Sequence, residues 1–284
     1  MPTRVLVLGM AREDGTIDAG ELLPVAAACG QTAEQVRSCL RRLVAEGLFE
    51  RQGSGRNAIF RATDRGVASL SGELDRTRMA YGQDAAGRGW DGQWRLIALA
   101  VPESRRGARD ALRDRMRALG GAPIQGGLHV SPHPWHADVI AEAERLGIAG
   151  GLTLATTNEL SVGGVGDPRE LARSLWPVDD LAARYAAFCD QFADVWTRLV
   201  DMRADRRHIA DADFLPGALR MAVSYQACFR DDPLLPPDLL PRPWPGRTAR
   251  EIMRKTRRMA VVMRSGPGRP ALFRTFDDAI DTLP

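Results

Sequence analysis

Residues 31–62 read QTAEQVRSCLRRLVAEGLFERQGSGRNAIFRA. Thr32 is placed to cap a helix, and Gln35 stands three residues on to return the hydrogen bond. Val36, Leu40 and Leu43 then fall on one face at helical spacing, flanked by Cys39 and Val44. Gly47 ends the helix. Leu48 to Arg51 and Ala58 to Ala62 are strand-like, joined by the turn Gly53-Ser54-Gly55. Upstream, Gly20 to Ala28 (GELLPVAAA) is a short helical run closed by Gly30. Helix, tight turn, helix and hairpin in that order predict a winged helix-turn-helix, with the second of those helices offered to DNA.

Charge placement supports that reading. Gln35 to Arg65 holds arginines 37, 41, 42, 51, 56, 61 and 65 against Glu46, Glu50 and Asp64. On a helical wheel Ser38, Arg41 and Arg42 lie away from Val36, Leu40 and Leu43, with Gln35 and Arg37 at the sides. Guanidinium groups there can fork onto guanine edges or clamp phosphates. Arg56 and Asn57 sit at the hairpin tip, where a wing reaches the backbone or minor groove. The alternative is a solvated helix face, but a hairpin at this distance favours double-stranded DNA. The candidate DNA-binding set is therefore Gln35, Arg37, Ser38, Arg41, Arg42, Arg56 and Asn57.

The rest of the chain fits two or three domains. It has 284 residues, 44% hydrophobic and 26% charged, a globular balance. A formal charge of +3 excludes a polybasic tail but not a local basic patch. No apolar run approaches the roughly 18 residues of a membrane span, and the N-terminal stretch lacks a signal-peptide cleavage pattern. The cysteines at 29, 39, 189 and 228 lack zinc-knuckle or CxxC spacing and lie among apolar neighbours, as buried free thiols in a reducing cytoplasm would.

Residues 88–160 read strand, helix, two strands about Gly126-Gly127, helix, strand. The strand Trp94 to Val101 precedes an arginine-rich amphipathic helix over Ser104 to Leu119, and a stretch rich in glycine and charge (YGQDAAGRG) reads as the linker before it. This βαββαβ order is that of a ferredoxin-like sandwich, whose open sheet face is a site for pairing with a second subunit. His129, His133 and His136 cluster in sequence, but no cysteine or carboxylate set completes a metal shell, and structural or surface roles are expected.

Residues 167–284 read as helical. Leu181 to Met202 is expected as one helix with a core stripe of Tyr185, Phe188, Phe192, Trp196 and Leu199. The run RDDPLLPPDLLPRPWPG, residues 230–246, must be an extended strap whose leucines and Trp244 cover something apolar. The helix after it carries Arg250, Arg254, Arg257 and Arg258, a density that calls for phosphate or for acidic partners.

These residues resemble the PaaX family of bacterial repressors. The points of contact are the Val36-Arg37-Ser38 to Arg42-Leu43 helix, WDGQWRLIALAVPESRR (90–106), GGLHVSP (126–132) and, most specific, DDPLLPPDLLPRPWPG (231–246). The resemblance implies a winged-helix head (1–80), a ferredoxin-like central domain for dimerisation (88–160) and an all-helical C-terminal domain (167–284). It implies a homodimer that represses a catabolic or secondary-metabolic operon and is released by a small-molecule effector such as an aryl- or acyl-CoA thioester. With Trp244, Arg250, Arg254, Arg257 and Arg258 as apolar and phosphate-binding groups, the strap and the arginine helix form the expected effector site. The fold class expected is therefore multidomain α+β, without catalytic residues, metal or cofactor, in the cytoplasm. Two alternatives stand beside it. One is a metal-dependent nuclease on the ferredoxin-like module, which needs carboxylates at the end of the first strand, where only Glu103 follows Val101-Pro102. The other is an adaptor that does not bind DNA.

Overall fold

The computed structural model describes residues 2–87, 89–205, 211–264 and 272–276. It is a mixed α+β chain with two small antiparallel sheets. The described residues fall into two compact units, each assembled from separated stretches of chain.

The first unit takes the described residues of Met1–Gly82, Tyr185–Phe229 and Gly246–Pro284. It begins with α1 (Pro2–Gly9), β1 (Thr16–Asp18), α2 (Ala19–Ala28), α3 (Ala33–Ala45), β2 (Phe49–Gln52) and β3 (Ile59–Ala62). Local chemistry sets these boundaries. The Asp18 carboxylate accepts from Gly20 N at 2.7 Å and caps α2. Thr32 Oγ1 accepts from Gln35 N, and Gln35 Oε1 accepts from Thr32 N at 2.7 Å, closing the capping box of α3. Gly47 takes φ 69° beyond the helix end, so that Leu48 N reaches Leu43 O at 3.0 Å. The strands pair in the order β1-β3-β2. β1 was not anticipated, because three residues carry no alternation to read.

The core of this unit is completed from far along the chain. Leu6, Val7, Leu22, Val36, Leu43 and Phe49 are buried together with Leu215 and Leu219 of α10 (Asp211–Phe229). Leu181 to Met202 is not one helix, since α8 (Val178–Phe192) and α9 (Val195–Ala204) are separate. Tyr185, Phe188, Phe192 and Leu199 remain buried, but beyond the interruption Trp196 turns outward, where the Lys255 ammonium lies 5.6 Å from its ring centroid. α4 (Asp64–Ala86) runs into the stretch expected as a linker, and the chain passes there from the first unit to the second, between Gly82 and Gln83; the Tyr81 hydroxyl donates to the Arg250 carbonyl at 3.1 Å.

The second unit takes the described residues of Gln83–Arg184 and Arg230–Pro245. β4 (Trp94–Leu99), α5 (Arg106–Ala118), β5 (Ala122–Gln125), β6 (Leu128–Ser131), α6 (His136–Arg145) and β7 (Leu152–Thr157) follow one another, and the sheet order is β5-β6-β4-β7. Alternation along β4 divides the sheet into two faces. Ile97 and Leu99 pack with Leu112, Met116, Trp135 and Val139 of the helical layer. Trp94 and Leu96 face the other way, toward Leu171 and Trp176 around α7 (Pro168–Leu175) and toward Leu235, Leu239 and Leu240 of the Pro-rich strap.

The chain itself covers that second face over β5, β6 and the start of β4, while Thr153 and Ala155 of β7 stay exposed. Asp238 fixes the strap by accepting from Gly89 N and Trp90 N, each at 3.1 Å, and its carbonyl accepts from Arg169 Nε at 2.9 Å. His133 Nε2 donates to the Pro233 carbonyl at 3.2 Å, and His129 Nδ1 to the Gly127 carbonyl at 3.0 Å.

Candidate nucleic-acid interface and ligand cavity

α3 presents two chemically distinct sides. Val36, Leu40 and Leu43 are buried in the first unit's core. Gln35, Arg37, Arg41 and Arg42 are exposed, and Ser38 is half-buried. Glu34 shares the exposed side, with its carboxylate 2.8 Å from Arg41 and 3.9 Å from Arg37. The hydrogen bond from Arg41 holds the Glu34 carboxyl below the ordinary carboxylate range. All three side chains are largely exposed, so the pairs add little stability and can be exchanged for other partners. Arg42 makes no ion pair among the described residues.

The β2–β3 hairpin follows directly. Arg51 pairs across the strands with Phe60 and Glu50 with Arg61, and both arginines are exposed. Asn57 is exposed in a short 3-10 turn, Gly55–Asn57, at the tip. The Arg56 side chain lies outside the described part of the structure. Arg51 is absent from the sequence-based candidates and lies exposed on the same hairpin.

The carboxylate that a nuclease reading required lies on an exposed turn beside an arginine. β4 ends at Leu99, and Glu103 lies in the 3-10 turn beyond it, paired with Arg109 at 2.9 Å.

The proposed effector residues divide between the two units. Trp244 packs in the second unit with the leucines of the strap. The arginines stand on α11 (Pro245–Arg264). Arg250 is buried, Arg254 is paired with Glu251 at 2.7 Å, and Arg258 is exposed. Arg257 Nη2 donates to the Phe273 carbonyl at 2.9 Å, and its guanidinium lies 5.2 Å from the centre of that ring.

Arg257 also borders a cavity of about 360 Å³ within the first unit, among α9, α10, α11 and residues 272–273. Its walls are mostly apolar, with Phe192, Leu199, Phe214, Met221, Met253 and Phe273 contributing. No sequence pattern signals it, because an aromatic stripe reads the same whether it packs tightly or leaves a gap.

Comparison with known proteins divides the chain in three. Residues 5–66 match the family model described as PaaX-like protein. Residues 87–172 match the PaaX protein central Cas2-like domain, and residues 176–263 the PaaX-like protein C-terminal domain. The chain is 25% identical over 246 residues to the transcriptional repressor PaaX of Escherichia coli (strain K12), covering 86% of this chain and 74% of that protein. Among solved structures, an uncharacterized protein from Mycobacterium tuberculosis superposes with a TM-score of 0.53 at 21% identity, over 98% of this chain and 96% of the other. That likeness speaks for the fold alone.

Proposed function

Because this chain belongs to the PaaX family, we propose that it is a homodimeric transcriptional repressor that binds double-stranded operator DNA and is released by a small-molecule effector. The observation that carries the reading is α3, buried on its Val36-Leu40-Leu43 side and exposing Arg37, Arg41 and Arg42 on the other. We read the first 80 residues as a winged helix-turn-helix, with α3 for the major groove and the β2–β3 hairpin, carrying Arg51, Arg56 and Asn57, as the wing. The second unit's strand order and paired helices support a ferredoxin-like reading of residues 88–160. No described helix is long and apolar enough to cross a membrane, which is compatible with a cytoplasmic regulator.

The chemistry is binding and release. Arginine forks supply bidentate hydrogen bonds to phosphate and to guanine, and phosphate contacts make affinity fall with salt. A dimer places two such helices on half-sites about one helical turn apart, ~10 bp, or a multiple of that spacing. The test is fluorescence anisotropy with DNA from upstream of the protein's own gene neighbourhood. Arg41→Ala/Arg42→Ala is expected to abolish specific binding, and each lost phosphate contact to lower the salt slope by about 0.9. Unchanged operator affinity in that variant would remove α3 as the reading helix. Absence of DNA binding by the intact chain would return the adaptor reading.

A further inference from the structure

The cavity among α9, α10 and α11 has the chemistry of a ligand site. Its size falls in the range of small-molecule pockets, which are mostly apolar with a few polar groups to fix orientation. Thr256 borders it, is 7% exposed, and its hydroxyl has no hydrogen-bond partner among the described residues. A buried hydroxyl without a partner is costly, and it marks a polar spot in an otherwise apolar wall. Charged groups at the cavity are unequal in sign: Arg198, Arg220 and Arg257 against Asp213. An apolar interior with an excess of guanidinium suits a ligand with an apolar body and one anionic end.

The cavity also touches the head. Phe214 and Phe273 border it and pack against the core that holds α1, α2 and α3. Phe273 is tied to the end of α1 by its own backbone, its N–H donating to the Gly9 carbonyl at 2.6 Å. Thr275 Oγ1 donates to the Ala11 carbonyl at 3.0 Å. Phe273 holds φ 66°, a left-handed conformation rare for an aromatic residue, so its position is imposed by these contacts.

We infer that this cavity binds a small apolar carboxylate, an aryl or medium-length alkyl acid, and that Phe273 passes its occupancy to α1. The meaning of that relay rests on the repressor reading; the binding site does not. About 360 Å³ holds the apolar body of such an acid. The anionic end pairs with Arg198 or Arg220, both exposed, while Thr256 lies in the buried wall.

The test is calorimetry of the full chain with a panel of aryl and alkyl carboxylic acids, their primary amides and their CoA thioesters. Binding by acids is expected, with the matching amide at least tenfold weaker. Arg198→Gln/Arg220→Gln, at exposed positions where folding is not at stake, is expected to weaken acid binding about tenfold. Ala218→Phe is expected to block it by filling the cavity. No binding by any acid overturns the ligand class, and thioesters binding where their free acids do not overturns it equally. Acid binding that survives both variants overturns the site. Acid that binds the cavity without changing operator affinity leaves the site standing and removes the relay. Failure of the chain to bind DNA at all would sink the repressor reading while the calorimetry still decides the site.

Discussion

The Phe273 ring lies directly against the Cα of Gly9, so that a β-carbon built on Gly9 would overlap the ring. The glycine is the last residue of α1 and takes an ordinary helical conformation, so its lack of a side chain serves the contact and not the backbone. Gly9→Ala gains up to about 1 kcal/mol of helix propensity but forces a clash of the overpacking kind, worth about 1–3 kcal/mol. Net destabilisation of the first unit is expected in thermal unfolding. Gly9→Ala/Phe273→Ala is expected to recover part of the loss, because the two changes share one contact. Additive losses would show that the contact carries no weight.

Leu215 and Leu219 stand more than 150 residues from α3 in sequence yet lie in the same core. Leu219→Ala is expected to cost about 2–5 kcal/mol, as for other buried leucines. It is also expected to weaken DNA binding as temperature rises toward the lowered unfolding midpoint, though no arginine of α3 is touched. Chemical denaturation followed alongside anisotropy checks this. Full operator affinity up to the wild-type midpoint would count against a shared core.

Glu34 is the negative group on the exposed side of α3 and pairs with Arg41 and Arg37, so on the proposed reading it would compete with DNA for them. Glu34→Gln is expected to raise affinity for any duplex by a few-fold at low salt, with the gain shrinking as salt rises. Since Arg41 holds this carboxyl below its ordinary range, it stays charged well into mild acid, and its effect is expected to be constant from about pH 5 to 8.

His129 makes stability depend on pH. Burial, with Arg113 and Arg117 nearby, depresses its proton affinity below the usual imidazole value of about 6.5. The unfolded chain therefore takes up a proton that the folded chain refuses. Stability is full above that value, falls as pH drops through it, and levels off once the folded imidazole is protonated as well. His129→Gln is expected to flatten this limb of the profile; an unchanged slope between pH 6.5 and 5 would assign it elsewhere.

What could be read from sequence was what depends on near neighbours. The Thr32–Gln35 capping box, the Gly47 stop and the Gly126-Gly127 turn each lie within a few residues of their partners, so composition shows them. What could not be read was set by distant contacts. The glycines at 82 and 87 suggest a linker and do not show that α4 continues as far as Ala86, with Tyr81 bonded to the Arg250 carbonyl. The packing of Trp244 is set in the same way, by a cluster of the second unit that joins the strap's leucines to Trp94 and Leu171. Of the arginines chosen on α11, Arg257 does border the cavity, but its apolar walls belong to helices whose residues each look like ordinary core.

The separated stretches that make up the first unit also set an order of events during synthesis. The apolar surfaces of α1 and α2 leave the ribosome long before Leu215 and Leu219 are translated, a delay on the order of ten seconds at ordinary elongation rates. Through that interval the nascent head has an exposed sticky face and is a natural client for chaperones. Its arginine-bearing helix gains a finished scaffold only when the α10 leucines arrive, so truncated chains are poorly equipped to occupy an operator and compete there with whole ones.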